Sequence, residues 1–105
     1  MTLKEIKTLL SSTQLPVVYD FWPEGAAPGL PWICYREAGS SNFAADGIVY
    51  KAIRNIDVEL YSRQKDPTSE ELLEATLTAA GIFWDKSETY LADEQAYEVI
   101  YEIEV

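Results

Sequence analysis

Histidine is absent from the 105 residues. That absence removes Ser-His-Asp and Cys-His catalytic machinery, His-ligated metal sites and the ordinary proton shuttle near neutral pH. Cys34 is the single cysteine, so the chain makes neither an internal disulfide nor a cysteine-based zinc site. It is expected to be a small core residue, because no histidine is present to activate it. No apolar run approaches the roughly 18 residues of a membrane span. The opening Met1-Thr2-Leu3-Lys4-Glu5 is not followed by the apolar stretch of a signal peptide. G-x-G-x-x-G, P-loop and EF-hand spacings are all missing. The expectation is a soluble protein of the cytoplasm, or one assembled there, with no enzymatic activity, cofactor, bound metal or membrane partner.

Basic residues are also scarce, and unevenly so. Residues 1–65 balance seven acids against seven bases, whereas residues 66–105 hold eleven acids and only Lys86, so the second segment carries the entire net charge of −10. Such density repels phosphate and disfavours sequence-specific nucleic-acid binding through that half. Two readings follow: solvated faces that keep the protein soluble, or a surface that faces nucleic acid without adhering to it or meets a basic partner. Apolar residues make up 48% of the chain and aromatic residues 12%, enough for one folded domain spanning residues 1–105 rather than a disordered acidic chain.

Thr2 and Glu5 have the T-x-x-E spacing of a capping box, and Leu3, Ile6, Leu9 and Leu10 follow on one helical face. Pro16 ends that helix. Short strands are expected at residues 17–20 and 32–37, with a Pro/Gly-rich ordered loop over 21–31 between them. Ile33 and Tyr35 take one side of the second strand, and Trp32, Cys34 and Arg36 the other. Residues 38–47 read as a second loop ending in Asp46-Gly47, a hairpin turn signal flanked by Phe43 and by Ile48-Val49-Tyr50. Residues 52–62 alternate most clearly: Ile56, Val58 and Leu60 on one side, Asn55, Asp57, Glu59 and Tyr61 on the other. A second helix starts at Asp66-Pro67, or with Thr68 capping and Glu71 closing a box. Its inner stripe reads Leu72, Leu73, Thr76, Leu77, Ala79 and Ala80, and Gly81 stops it. Two short strands, at residues 82–85 and 88–91, precede a long one at 96–105, where Tyr97, Val99, Tyr101, Ile103 and Val105 oppose Glu98, Glu102 and Glu104. The pattern is α+β, a mostly antiparallel β-sheet with two α-helices packed on one face.

Carboxylates on one strand face invite comparison with acid–base pairs, but Glu98, Glu102 and Glu104 alternate with large apolar residues as an exposed face does. The loops carry more. Phe21, Trp22, Leu30 and Trp32 lie in or beside the Pro/Gly-rich segment, where rings either fold back on the core or dock a neighbouring subunit. Phe43, set among Ser, Asn and Ala, reads as a docking residue.

Several segments together resemble a known family: Thr2-Leu3-Lys4-Glu5-Ile6-Lys7, Leu15-Pro16-Val17-Val18-Tyr19-Asp20, Asn42-Phe43-Ala44-Ala45-Asp46-Gly47 with Val49-Tyr50-Lys51, Val58-Glu59-Leu60-Tyr61, Gly81-Ile82-Phe83-Trp84 and Tyr97-Glu98-Val99-Ile100-Tyr101-Glu102. They are similar to the small tail-completion proteins (tail-terminator, head-to-tail joining or neck proteins) of long-tailed phages and prophages of Gram-positive bacteria. The resemblance implies an α+β virion subunit that closes into a ring, often a hexamer. The ring would cap the tail-tube protein and join it to the head-completion or connector protein, with DNA passing through unbound. Within such a ring, the loop residues Phe21, Trp22, Leu30, Trp32, Asn42, Phe43 and Asp46 are the expected subunit interface, and the clustering of acids after residue 65 puts Glu98, Glu102 and Glu104 along the channel as an expectation. Two other functions compete with this reading. One is an acidic inhibitor or DNA mimic of a host nucleic-acid-handling protein; the other is a small hydrolase using carboxylates.

Overall fold

Three long strands decide the architecture. β2 (Trp32–Ser40), β5 (Arg54–Ser62) and β7 (Ala96–Glu104) lie side by side, antiparallel, in the middle of a five-stranded sheet. The computed structural model describes residues 1–105, side chains included except those of Ala45 and Tyr50. β1 (Val17–Tyr19) pairs parallel with β2 at one edge, and β6 (Trp84–Leu91) pairs antiparallel with β7 at the other. The sheet order is thus β1-β2-β5-β7-β6. The expected α+β class holds: the sheet is mostly antiparallel, and α1 (Leu3–Ser11) and α2 (Pro67–Ala79) cover one face.

The register aligns the apolar residues of neighbouring strands in rows. Ile33, Leu60 and Val99 form one row, and Tyr35, Val58 and Tyr101 the next. Ile6 and Leu10 from α1, with Leu73 and Leu77 from α2, close over them to make a core whose largest fully buried side chain is Tyr101. A helix as short as α1 is marginal alone, so its stability comes from this docking.

Local signals set the helix ends. In α1 the capping box is complete: the Glu5 amide donates to Thr2 Oγ1 at 3.1 Å and the Thr2 amide donates to Glu5 Oε1 at 2.8 Å. In α2 Asp66 is the cap, accepting from the Ser69 amide at 3.1 Å with Pro67 in the first turn. Thr68 lies inside the helix. α2 ends in a Schellman motif, with Ile82 N–H on the Leu77 carbonyl and Gly81 N–H on the Thr78 carbonyl. Gly81 sits there at φ +74°, a conformation a side chain would strain.

Several expectations need correction. The inner face of α2 is Ser69, Glu70, Leu73 and Leu77, while Leu72 is 43% exposed and Ala79 and Ala80 face solvent. Apolar spacing misplaced that face because a carboxylate, Glu70, occupies part of it. The two short strands expected at 82–85 and 88–91 are one strand, β6, since pairing with β7 overrides the weak β-propensity of Asp85-Lys86-Ser87-Glu88. The expected loop at 38–47 is largely strand: β2 continues through a bulge between Glu37 and Gly39 to Ser40, and β3 (Phe43–Ala45) pairs with β4 (Ile48–Lys51) as a separate hairpin. β5 starts at Arg54 rather than at residue 52.

Candidate functional site

The hairpin β3–β4 is an arm beyond the end of the main sheet. At its root the Ser41 amide donates to the Ile53 carbonyl at 2.9 Å and the Ile53 amide donates to Asn42 Oδ1 at 3.2 Å. At its tip Asp46 and Gly47 adopt φ +53° and +74°, the paired left-handed conformation of a two-residue hairpin turn. Asn42 and Asp46, both expected at an interface, thus also shape the arm. The arm exposes Phe43 (62%), Ile48 (70%) and Val49 (56%). An isolated two-stranded hairpin is marginal in water, and apolar side chains held out together this way form the kind of exposed patch found at interaction surfaces.

The other expected interface residues gather elsewhere. Residues 20–31 fold over the sheet face opposite the helices, at the end where β2 begins and β5 finishes. Trp22 meets Trp32 edge-on with ring centroids 6.0 Å apart, and Trp32 lies 6.5 Å from Tyr61. With Pro28, Leu30 and Leu91 they line a groove of about 610 Å³. Phe21 stands at its rim, 68% exposed. Trp22 Nε1 is buried in this region without a hydrogen-bond partner, an unusual state for an indole donor. Arm and groove are separated by the length of β2 and β5, nine residues each, roughly 30 Å at the rise of a strand. The residues expected at subunit interfaces therefore form two surfaces at opposite ends of the molecule.

Cys34 lies under this loop on the groove side of the sheet, 4% exposed and outside the main core. Burial, reinforced by Glu59, Asp20 and Glu98, pushes its thiol up to about 12. It stays protonated and unreactive at neutral pH.

The rest of that face is an open sheet of carboxylates. Asp57, Glu102 and Asp85 form one row across three strands, with Arg36 at its end. Glu102 and Glu104 are exposed, but Glu98 is half-buried. Tyr61 Oη lies 2.6 Å from Glu98 Oε2 and 3.0 Å from Glu59 Oε1. One hydroxyl proton serves both carboxylates, so they cannot both be fully satisfied when ionised. Burial first, then the Glu98 charge, raises Glu59 above the usual carboxylate range despite the bond from Tyr61. A raised folded-state value means that the stability linked to Glu59 is present below its unfolded value and is lost as pH rises through the folded one. Glu59→Gln is accordingly expected to raise stability at pH 7, by less than about 1 kcal/mol for so partly exposed a group, and to leave it nearly unchanged below pH 4. Urea midpoints at the two pH values check this.

On the helix face lies a network that sequence patterning missed. Glu70, 3% exposed on α2, receives Lys65 Nζ on both carboxylate oxygens, at 2.7 Å on Oε2 and 3.0 Å on Oε1, and Lys86 Nζ at 3.2 Å on Oε1. Lys86 also reaches Glu74 Oε2 at 2.6 Å, to which Tyr101 Oη donates at 2.8 Å. Lys65 pairs further with Glu88. Lys86 is an inward-pointing cation on the edge strand β6, a device that discourages pairing of that edge with other strands.

Among the described residues no cluster suits a metal ion, and no helix is long and apolar enough to cross a membrane. Comparison with models of known protein families and with curated proteins gives no match to this chain.

Proposed function

We propose that this protein is a structural, non-enzymatic ring subunit of a phage or prophage virion, a tail-terminator or head-to-tail joining protein that closes the end of the tail tube and links it to the head connector. The observation that carries the reading is the arm: a small α+β domain holds Phe43, Ile48 and Val49 out in solvent on a dedicated hairpin. Closed rings arise from repeated contacts between two different patches on each copy, and an arm at one end with an aromatic groove at the other supplies such a pair. The resemblance of the sequence to tail-completion proteins, which runs almost end to end, points the same way. The carboxylate face carrying Glu102 and Glu104 would let DNA pass without adhering, since like charges repel.

The same acidic face favours a second reading, an inhibitor that mimics DNA in a host protein's cleft. It gives the arm no task, so we place it second; capture of a nuclease or polymerase subunit on the purified chain would raise it. The deciding experiment for the first reading is electron microscopy of particles assembled without this protein. Heads and tails left unjoined, or tails of uncontrolled length, are the expected result. Intact infectious particles would end the reading.

A further inference from the structure

We infer that the groove over Trp22, Trp32 and Tyr61 is the receptor for the arm of a second copy of this chain, with Phe43 seated among the rings. The inference rests on the ring-subunit reading and names the partner of its two surfaces. Three observations select this occupant.

The first is chemistry. The groove is walled by the rings of Trp22, Trp32 and Tyr61 with Pro28 and Leu30, and the arm holds Phe43, Ile48 and Val49 out in solvent. Aromatic side chains are the usual anchors of interfaces, and seating Phe43 among the rings takes apolar surface of both copies out of water. The second is geometry. Arm and groove lie at opposite ends of a molecule 49 Å long, so the arm cannot fill its own groove. Only another copy can bring the two together. The contact is head-to-tail, the kind that propagates around a ring.

The third is charge. Two copies that each carry −10 repel one another across their carboxylate faces. Residues 41–52 hold one acid and one base, Asp46 and Lys51, and the groove lining holds Asp20 and Glu94 against Arg63. These are surfaces of low net charge on an acidic molecule, and like-charge repulsion steers contact towards them.

The test uses uniformly ¹⁵N-labelled full-length protein carrying Phe43→Asp, a change at an exposed site that disables the arm and leaves the groove intact. Unlabelled wild-type protein is titrated into it. The expected result is a progressive shift of the Trp22 indole N–H resonance. The Trp84 indole, already bonded to Thr78 Oγ1 at 3.0 Å, serves as the unmoved internal reference. Titration with unlabelled Phe43→Asp or Ile48→Asp protein is expected to abolish the shift. A Trp22 resonance that stays fixed at millimolar wild-type protein, or that moves equally with the arm variants, overturns the inference. So does movement with tail-tube protein but not with a second copy. None of these outcomes touches the virion experiment: particles that need this protein while its groove ignores the arm would retain the ring reading and remove only the groove's assignment. Particles indifferent to the protein would remove the ring reading whatever the resonance does.

Discussion

A chain in which residues 42–52 are replaced by Asn-Gly is expected to fold as the wild type does and to fail completely in joining heads to tails. The first half of that expectation follows from where the core lies. Among the described side chains no buried core residue falls within the arm; the cluster skips from Tyr35 to Ile56. The last rung of the main ladder is Ser40 opposite Arg54, which puts Ser41 and Ile53 at the right separation for a two-residue turn, and Asn-Gly has the left-handed preference such a turn requires. The Ser41 amide keeps its bond to the Ile53 carbonyl, and the reciprocal side-chain bonds between Ser41 and Asn55 remain available. Shortening a loop changes closure entropy only weakly. The urea midpoint should therefore correspond to a stability within about 1 kcal/mol of wild type, with the helical signal of the far-ultraviolet spectrum retained. The second half follows from the arm's exposed apolar surface having no task inside the monomer. Particles complemented with the shortened chain should look like particles lacking the protein. Full complementation by a stably folded, armless chain would show that the arm is not the assembly device.

How much of this was legible in the sequence differs by element, for physical reasons. Period-two alternation named both faces of β2, β5 and β7 correctly, because one face is buried against helices and the other is wet except where the 20–31 loop covers Cys34. Local chemistry placed the capping box at Thr2 and Glu5, the turn at Asp46-Gly47 and the stop at Gly81, each of which depends on residues within a few positions. The arm was only half visible. Its turn signal was clear, but Ser, Asn and Ala around Phe43 have no pattern that distinguishes a short strand from a loop, and its detachment from the main sheet is a tertiary fact.

Charge was the least readable feature. Counting along the chain set a neutral first segment against an acidic second one, but the fold does not preserve that division. Asp57 and Glu59 from the neutral segment join Glu98, Glu102 and Asp85 on the open face, while Glu70 and Glu74 from the acidic segment turn to the helix side and meet Lys65 and Lys86. Strand order, not sequence position, decides which carboxylates become neighbours. The groove was hidden for a similar reason. Trp22 and Trp32 were visible as rings that either pack or dock, whereas their meeting with Tyr61 depends on the pairing of β2 with β5.

Replacing Lys65 and Lys86 together by methionine is expected to cost about 3–5 kcal/mol, the typical loss when a buried charge is left without its partners. Against the roughly 5–15 kcal/mol total of a small domain, that is enough to bring urea unfolding to a much lower denaturant concentration. The lysines themselves are 48% and 39% exposed, and each pair taken alone is worth no more than about 1 kcal/mol. The loss comes from the other side: the Glu70 side chain is 5% exposed, with Lys65 on both of its oxygens and Lys86 on one of them. A third change, Glu70→Met, removes the stranded charge and should recover most of the loss, since an apolar replacement of a buried ionic group is often near neutral.

The network also fixes the shape of the pH profile. Bonds to Glu70, then Glu88, hold Lys65 above its ordinary value, and the bond to Glu74 does the same for Lys86. Stability from these two groups is complete below the unfolded lysine value and is lost as pH rises through the folded values. Burial alone would raise Glu74, but bonds from Lys86 and Tyr101 outweigh it and hold the carboxyl below its usual range. Its contribution is complete above the unfolded carboxylate value and is lost as pH falls through the folded one. Urea midpoints across pH should thus show a plateau with a fall on each side. In the double variant the alkaline fall should flatten, because the cations that produce it are gone. A double variant that loses less than about 1 kcal/mol would show that solvent reaches Glu70 and that the network is a surface feature.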